Sequence, residues 1–287
     1  STLLKFLFAN GAGAVKAVAV GKDESEEKDY ASAFAALSDE EDVGVMVCDS
    51  AAQSVHLLLK TAAEDASAAR RERIAVIGGS EETVAQMVNR AKAVNSERVV
   101  LVGPDIASDD GGTMSAVFAA AAVIAGNTDP SVPINGAELT LFGAAGKRLS
   151  DNEIDQLVRG GVTPIETVGG VSSPVRGITT KTSSGGAADT TWRELTTILI
   201  VDEVIPTIRS ALRTRFARSK NTAQSRGAIR SQVVLELEEM KSREIVDSYG
   251  EVLVSALKSD PTVCLVEFSF TVAHGLNRIY LTAHITV

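Results

Sequence analysis

The chain has 287 residues, 45% hydrophobic and 23% charged, with a net charge of −9. That is an ordinary globular composition, long enough for two domains or one large one, and its acidic balance argues against a general nucleic-acid binder. The longest apolar stretch, Met114–Gly126, is too short to span a bilayer.

Residues 1–20 read as strand, turn, strand, with LLKFLFA and AVKAVAV flanking the turn signal NGAG. An acidic stretch, Gly21–Asp29, leads into a short helix, Tyr30–Ser38, and a second acidic patch, Asp39–Asp42. A clear rhythm follows. VGVMVC, RIAVIG and RVVLVG are short, almost wholly apolar runs, and each precedes a longer helical one. Alternating β and α segments with two-sided apolar strands predict a mostly parallel sheet with packed helices. Ser50 with Gln53 fits a capping box, and Ser80 precedes the next helix as a cap. With aromatics at 4%, Ala, Val, Ile and Leu must build the core. Cys48 and Cys264 lie inside apolar runs and read as buried free thiols.

After Asn127 a Pro/Gly linker opens a small α+β segment. LSDNEIDQLVRGG carries Ser150 and Glu153 as a capping box, Leu149 and Ile154 as a hydrophobic staple, and Gly160 or Gly161 as its stop. VTPIETV, SPVRGITTK and WRELTTILIV read as strands, and Thr182–Asp189 as a flexible loop. The last unit reads as helix, helix, β-hairpin. Its helices are EVIPTIRSALRTRFAR, with Pro206 in the first turn, and AIRSQVVLELEEMKSREI. Its hairpin joins residues 263–273 to 279–287 through HGLN. The divisions are 1–133, an α/β domain; 134–192, a small α+β segment; and 193–287, the helix–helix–hairpin domain.

Chemical motifs are weak. VIGGSEET places glycines before a helix, and NGAGAV contains GxG, but neither completes a phosphate-binding pattern. His56, His274 and His284 have no partners at metal spacing. The acidic runs miss the calcium-loop pattern, and no nucleophile elbow exists. No catalytic residue, cofactor or metal is therefore expected. The alternative is a doubly wound enzyme holding a nucleotide or sugar-nucleotide above its sheet. A nucleic-acid reading of the Arg-rich helix fails for want of stacking aromatics.

Two features stand out. Between Val204 and Leu235 there is no acid, while Arg209, Arg213, Arg215, Arg218, Lys220, Arg226 and Arg230 form a basic patch suited to an acidic partner. The chain also ends in pattern. Ile279, Leu281, Ala283, Ile285 and Val287 alternate with Tyr280, Thr282, His284 and Thr286, a half-buried strand whose outer edge could pair with another copy.

An ordered series of segments resembles contractile phage tail sheath proteins. They are RRERIAVIGG, NSERVVLVGP, MSAVFAAAAVIAG, SDNEIDQLVRGGVTPIE and RGITTKT, then WRELTTILIVDEVIPTIRSALRTRF, KNTAQSRGAIRSQVVLELEEM and HGLNRIYLT. The resemblance implies a non-enzymatic subunit of a helical homopolymer around a tail tube, contracting to drive the tube through a cell envelope. It implies further contacts with baseplate and tail terminator, and a place in the phage tail after assembly in the bacterial cytoplasm. The C-terminal domain would face the tube with its basic patch. Residues 279–285 would form an inter-subunit strand. The family's usual chain has a further N-terminal segment before such an opening, so a trimmed chain or a later start is expected.

Overall fold

The computed structural model describes residues 2–21, 27–106, 114–141 and 148–277. The chain forms two compact units. One contains residues up to 128, 133–195, and Leu276 with Asn277; the other contains 129–132 and 196–275.

The first unit carries helices α1 (Thr2–Ala9) and α2 (Glu27–Ser38), strand β1 (Val45–Val47), α3 (Gln53–Ala68), β2 (Ile74–Gly78), α4 (Val84–Val94), β3 (Val99–Gly103), α5 (Ser115–Gly126), α6 (Asp151–Arg159), β4 (Val162–Val168) and β5 (Val171–Pro174). The five strands form one sheet in chain order. The first four are parallel, and β5 returns antiparallel on β4. That return passes through Gly169 and Gly170 at φ 62° and 85°, the pair of positive values a two-residue hairpin needs.

Every residue of β2 and β3 is buried. Successive side chains point to opposite faces. Ala75, Ile77, Val99 and Leu101 join one core with Tyr30, Phe34, Leu59, Met87, Ala91 and Leu157 from α2, α3, α4 and α6. The alternate residues Ile74, Val76, Val100 and Val102 are buried toward the other face, where α5 packs on β1, β2 and β3. α1 lies on α5.

The opening hairpin is not formed. Residues 2–9 are helical, with Phe6 and Leu7 buried together. Asn10 ends that helix: Nδ2 donates to the Phe6 carbonyl (2.7 Å) and to the Thr140 carbonyl (3.1 Å), while Oδ1 accepts from Thr140 N (2.8 Å). Residues 13–20 follow without a single backbone hydrogen bond to a described residue. Two helix starts also differ from expectation. Ala52, not Ser50, precedes α3, and Ser50 Oγ accepts from Ala52 N instead. Thr83, not Ser80, caps α4 in a box with Gln86; Glu81 at φ 49° keeps the chain out of helix until then. Ser150 and Glu153 do form their box, and Gly160 ends α6.

The strand expected over residues 173–181 stops at Pro174. Beyond it, side chains share the pairing with scattered backbone bonds, such as Val175 N to the Pro164 carbonyl (2.8 Å) and Thr180 N to the Val99 carbonyl (2.8 Å). Thr163 Oγ1 accepts from Ile178 N (2.8 Å) and donates to the Ile178 carbonyl (2.9 Å). Thr180 Oγ1 donates to the Ser96 carbonyl (2.9 Å) and accepts from Ser96 N (3.0 Å). Strands β6 (Ser183–Ser184) and β7 (Ala187–Ala188) then make a minimal hairpin inside the expected loop.

The second unit has helices α7 (Leu195–Phe216) and α8 (Ala223–Ser242) and strands β8 (Val246–Tyr249), β9 (Leu253–Leu257), β10 (Asp260–Glu267) and β11 (Phe270–Val272). The expected strand at 192–201 is instead the start of α7, so Pro206 lies well inside that helix rather than in its first turn. The reason is packing. Ile200, Val204 and Ile208 recur every four residues, one helical stripe, and meet Val233, Leu237 and Met240 of α8. The strand expected at 263–273 is two strands, each with a partner of its own in the chain. β10 pairs with β9 and β11 with β8, both antiparallel. Both partners, β8 and β9, lie in EIVDSYGEVLVSALK, a stretch that carries no strand expectation. The expected second strand, 279–287, lies outside the described residues.

Replacing Thr180 with Val keeps its shape and removes two buried hydrogen bonds to Ser96. Unfolding free energy should drop by about 2 kcal/mol, because the Ser96 amide is left buried and unpaired and the Ser96 carbonyl keeps only its 3.4 Å bond from Val99 N. Thr61→Val on the exposed face of α3, whose hydroxyl bonds only Leu57 O of its own helix, should change it by less than ~0.5 kcal/mol. Denaturant melts of both variants check this.

Candidate functional site

A parallel sheet offers a ligand site beyond the carboxyl ends of its strands, where neighbouring loops leave to opposite faces. In this chain that place lies between β2 and β3, whose loops lead to α4 and α5. Its glycines are packing positions. A Cβ on Gly78 would collide with Val117 of α5, one on Gly79 with the Glu82 side chain, and one on Gly103 with Met87 of α4. The backbone is bare there because helices approach it.

Beside this point sits a closed polar cluster that no motif announced. Arg90 Nε donates to both carboxylate oxygens of Glu82 (2.9 and 3.1 Å), and Nη2 adds a third bond. Arg90 Nη1 donates to the Ala51 carbonyl (3.0 Å) and to His56 Nδ1 (3.2 Å). His56 Nε2 donates to the Ser50 carbonyl (2.7 Å). Both ring nitrogens are thus satisfied in the neutral form. Burial, reinforced by the charge of Arg90, lowers the His56 pKa to about 4. Cys48 is buried nearby, and burial raises its thiol pKa to about 11, so it is a poor nucleophile. Tyr30 donates to Asp49 (3.0 Å). On the far side of the loops, burial raises the pKa of Asp105, against the opposing hydrogen bond from Met114 N (3.2 Å). These groups answer one another, and the carboxylates Glu82 and Asp105 oppose a phosphate. Among the described residues no His, Cys, Asp or Glu group is arranged to hold a metal ion. His274 lies beyond β11, and His284 lies outside the described residues.

The second unit holds the basic patch, and the structure divides it. α7 and α8 run antiparallel: Arg215 reaches Gln232 at one level and Glu203 approaches Arg243 (3.9 Å) at another. Gln232 passes the contact on to Glu236 (2.7 Å). Arg226 donates to Asn221 (3.0 Å), and Arg230 to the Val252 carbonyl (3.0 Å) with Glu251 at 4.0 Å. Arg215, Arg226 and Arg230 therefore help hold the unit together. Arg209 is half-buried. The side chains of Arg213, Arg218 and Lys220 are exposed and bond to no described residue.

Asn221 also ties the turn between the helices to the hairpin. Its Nδ2 donates to the carbonyls of Pro261 (2.7 Å) and Val263 (3.3 Å). Each sheet here has only two strands, so among the described residues β9 and β10 each keep one edge unpaired. The predicted inter-subunit strand, Ile279 to Ile285, lies outside the described residues.

Residues 187–286 match the family of the phage tail sheath C-terminal domain. A tail sheath protein of Bacillus phage SP01 is 28% identical over 223 residues, 75% of this chain and 38% of that protein. The chain thus spans well under half the length of that relative. A chain in the cryo-EM structure of the anti-feeding prophage baseplate matches with a TM-score of 0.75 at 13% identity, over 99% of this chain and 80% of that one. A chain of the same prophage's contracted helical sheath gives 0.71 at 12% identity, over 98% and 81%. The sheath tail protein of Desulfitobacterium hafniense gives 0.67 at 13%, over 91% and 65%. At these identities the solved structures share the fold.

The neutral His56 makes stability pH-dependent. Its folded pKa of about 4 lies below the ordinary 6.5, so the unfolded chain binds the extra proton first as pH falls. The contribution is complete above about pH 6.5 and is lost progressively down to about pH 4, on the order of 3 kcal/mol in all. Denaturant melts across this range should show wild type losing stability faster than His56→Gln. Parallel curves for the two would count against it.

Proposed function

We propose that this chain, a member of the phage tail sheath proteins, is a structural subunit of a contractile sheath. It polymerises helically around a tail tube and contracts to drive that tube through a cell envelope. The carrying observation is the family match over residues 187–286, the part that holds α7, α8 and the hairpin. The likeness of nearly the whole fold to a chain of a contracted sheath supports it.

The role is mechanical, not catalytic. The place where an α/β enzyme would bind its ligand is packed with Val117, Met87 and the Arg90–Glu82–His56 cluster, which favours the sheath over a nucleotide-binding enzyme. The tube partner is an acidic surface met by the basic patch, with Arg209 and Arg213 on one face of α7. Residues 279–285 add as a strand to a sheet of a neighbouring copy. The edges of β9 and β10 that pair with no described residue support strand addition, since two-stranded sheets are marginal alone. Baseplate and tail terminator are further partners, and assembly takes place in the bacterial cytoplasm.

Electron microscopy of the chain, expressed with its tail tube protein in the full-length context, tests this. Sheathed tubes are expected. Arg209→Glu with Arg213→Glu should lower the sheathed fraction about tenfold at low salt, and the difference from wild type should shrink at high salt. Leu281→Pro removes a backbone donor and should leave a folded protein that forms no sheath. Tubes that stay bare with the wild-type chain would sink the reading, and a specific, saturable nucleotide-induced melting shift would favour the enzyme.

A further inference from the structure

An asparagine followed by glycine is a place where a peptide chain can attack itself. Glycine has no Cβ to obstruct its amide nitrogen, and the side-chain carbonyl of the residue before it is held close by. The chain holds two such pairs, Asn10–Gly11 and Asn135–Gly136. The fold treats them differently.

Both side-chain carbonyls are polarised. Asn10 Oδ1 accepts from Thr140 N (2.8 Å), and Asn135 Oδ1 accepts from Gly177 N (3.0 Å). A backbone N–H in that position stabilises the negative charge that grows on the oxygen when Cγ is attacked. The two pairs differ in the attacking nitrogen. Gly136 N is tied to the Pro174 carbonyl at 2.8 Å. Gly11 N lies 3.5 Å from the Phe8 carbonyl, beyond the ordinary range of such bonds. Gly11 is also exposed, and residues 13–20 beyond it make no backbone hydrogen bond to a described residue that would brace it. At Asn10 the departing nitrogen has acceptors at hand, since Nδ2 already donates to the carbonyls of Phe6 (2.7 Å) and Thr140 (3.1 Å).

We propose that Asn10 is a deamidation site, and that its conversion to a carboxylate releases the end of α1. Gly11 N gives its proton to water and bonds to Cγ of Asn10. The Cγ–Nδ2 bond breaks, and the nitrogen leaves as ammonia with a proton from water. The five-membered imide then adds water and opens to aspartate or isoaspartate. The net change is amide plus water to carboxylate plus ammonium, so no other reagent is needed. In the aspartate product an oxygen stands where Nδ2 donated to two carbonyls. Three oxygens with no proton between them repel, and the new charge sits at the negative end of α1. The tie between α1 and residue 140 is lost, while Phe6 and Leu7 still hold the helix on α5. The change runs one way and marks the age of the molecule. It is a property of this chain alone and does not depend on the sheath reading.

The test is to keep the folded chain at mildly alkaline pH and follow both sites by peptide mass mapping. The amide should be lost from Asn10 at least ~10-fold faster than from Asn135, about 1.4 kcal/mol in barrier. In strong denaturant, where neither glycine nitrogen is tied, the two rates should converge. The modified fraction carries one more negative charge and separates by ion exchange. Its α1 amides should exchange hydrogen faster than those of the unmodified fraction, and Asn10→Asp should reproduce this. The aged wild-type chain supplies the same comparison if that variant does not fold. Equal rates at the two sites in the folded chain overturn the site. Unchanged exchange of α1 in the modified fraction overturns the release.

Discussion

Two adjacent strands with no solvent-facing side determine how the first unit is built. β2 and β3 bury all of their residues, so each face of the sheet needs a helical cover. On one face α3, α4 and α6 supply it with Leu, Met and Val side chains. On the other, the alanines of α5 let its backbone come close, and α1 covers α5 in turn. The strand-end glycines follow from the same constraint, since any side chain at Gly78 or Gly103 would strike the covering helices. A fold that hosts ligands elsewhere is here closed by its own packing.

Buried charge is handled by two different means. Arg73 is 1% exposed and makes no ion pair with a carboxylate among the described residues. Its guanidinium instead donates to the carbonyls of Leu37 (2.9 Å), Ser38 (3.3 Å) and Glu40, just where α2 ends. The negative end of a helix takes the place of a counter-ion. Arg90 has a real one in Glu82, and the neutral His56 completes its donor set. Arg90 thus has every side-chain nitrogen engaged, whereas Arg73 keeps Nε buried without a partner. The exposed side chains of Arg213, Arg218 and Lys220 in the second unit have no such partner among the described residues.

The parts legible in the sequence were those where one signal decided the structure. The runs RIAVIG and RVVLVG are strands because nothing polar interrupts them. Ser150 and Glu153 form their capping box because both halves are present at the right spacing. Where apolar residues lacked punctuation, periodicity was ambiguous. LLKFLFA and ELTTILIV both suit a strand by residue type, yet each presents a helical stripe that only tertiary packing selects. The basic patch was legible as composition. Which of its members would be tied down was not, because Gln232, Asn221 and the Val252 carbonyl come to the arginines from 17, 5 and 22 residues away. The Arg90 cluster joins residues 34 and 39 apart through the fold alone.

Pro206 divides α7 near its middle. Proline has no amide hydrogen, so the helix lacks the rung that would join residue 206 to residue 202. A 22-residue helix with one rung missing is softest at that point. The stripe of Ile200, Val204 and Ile208 runs across the weak place and holds it against α8. Load applied along α7 is therefore taken up first as bending at Pro206, while the hydrogen-bonded turns on either side stay whole.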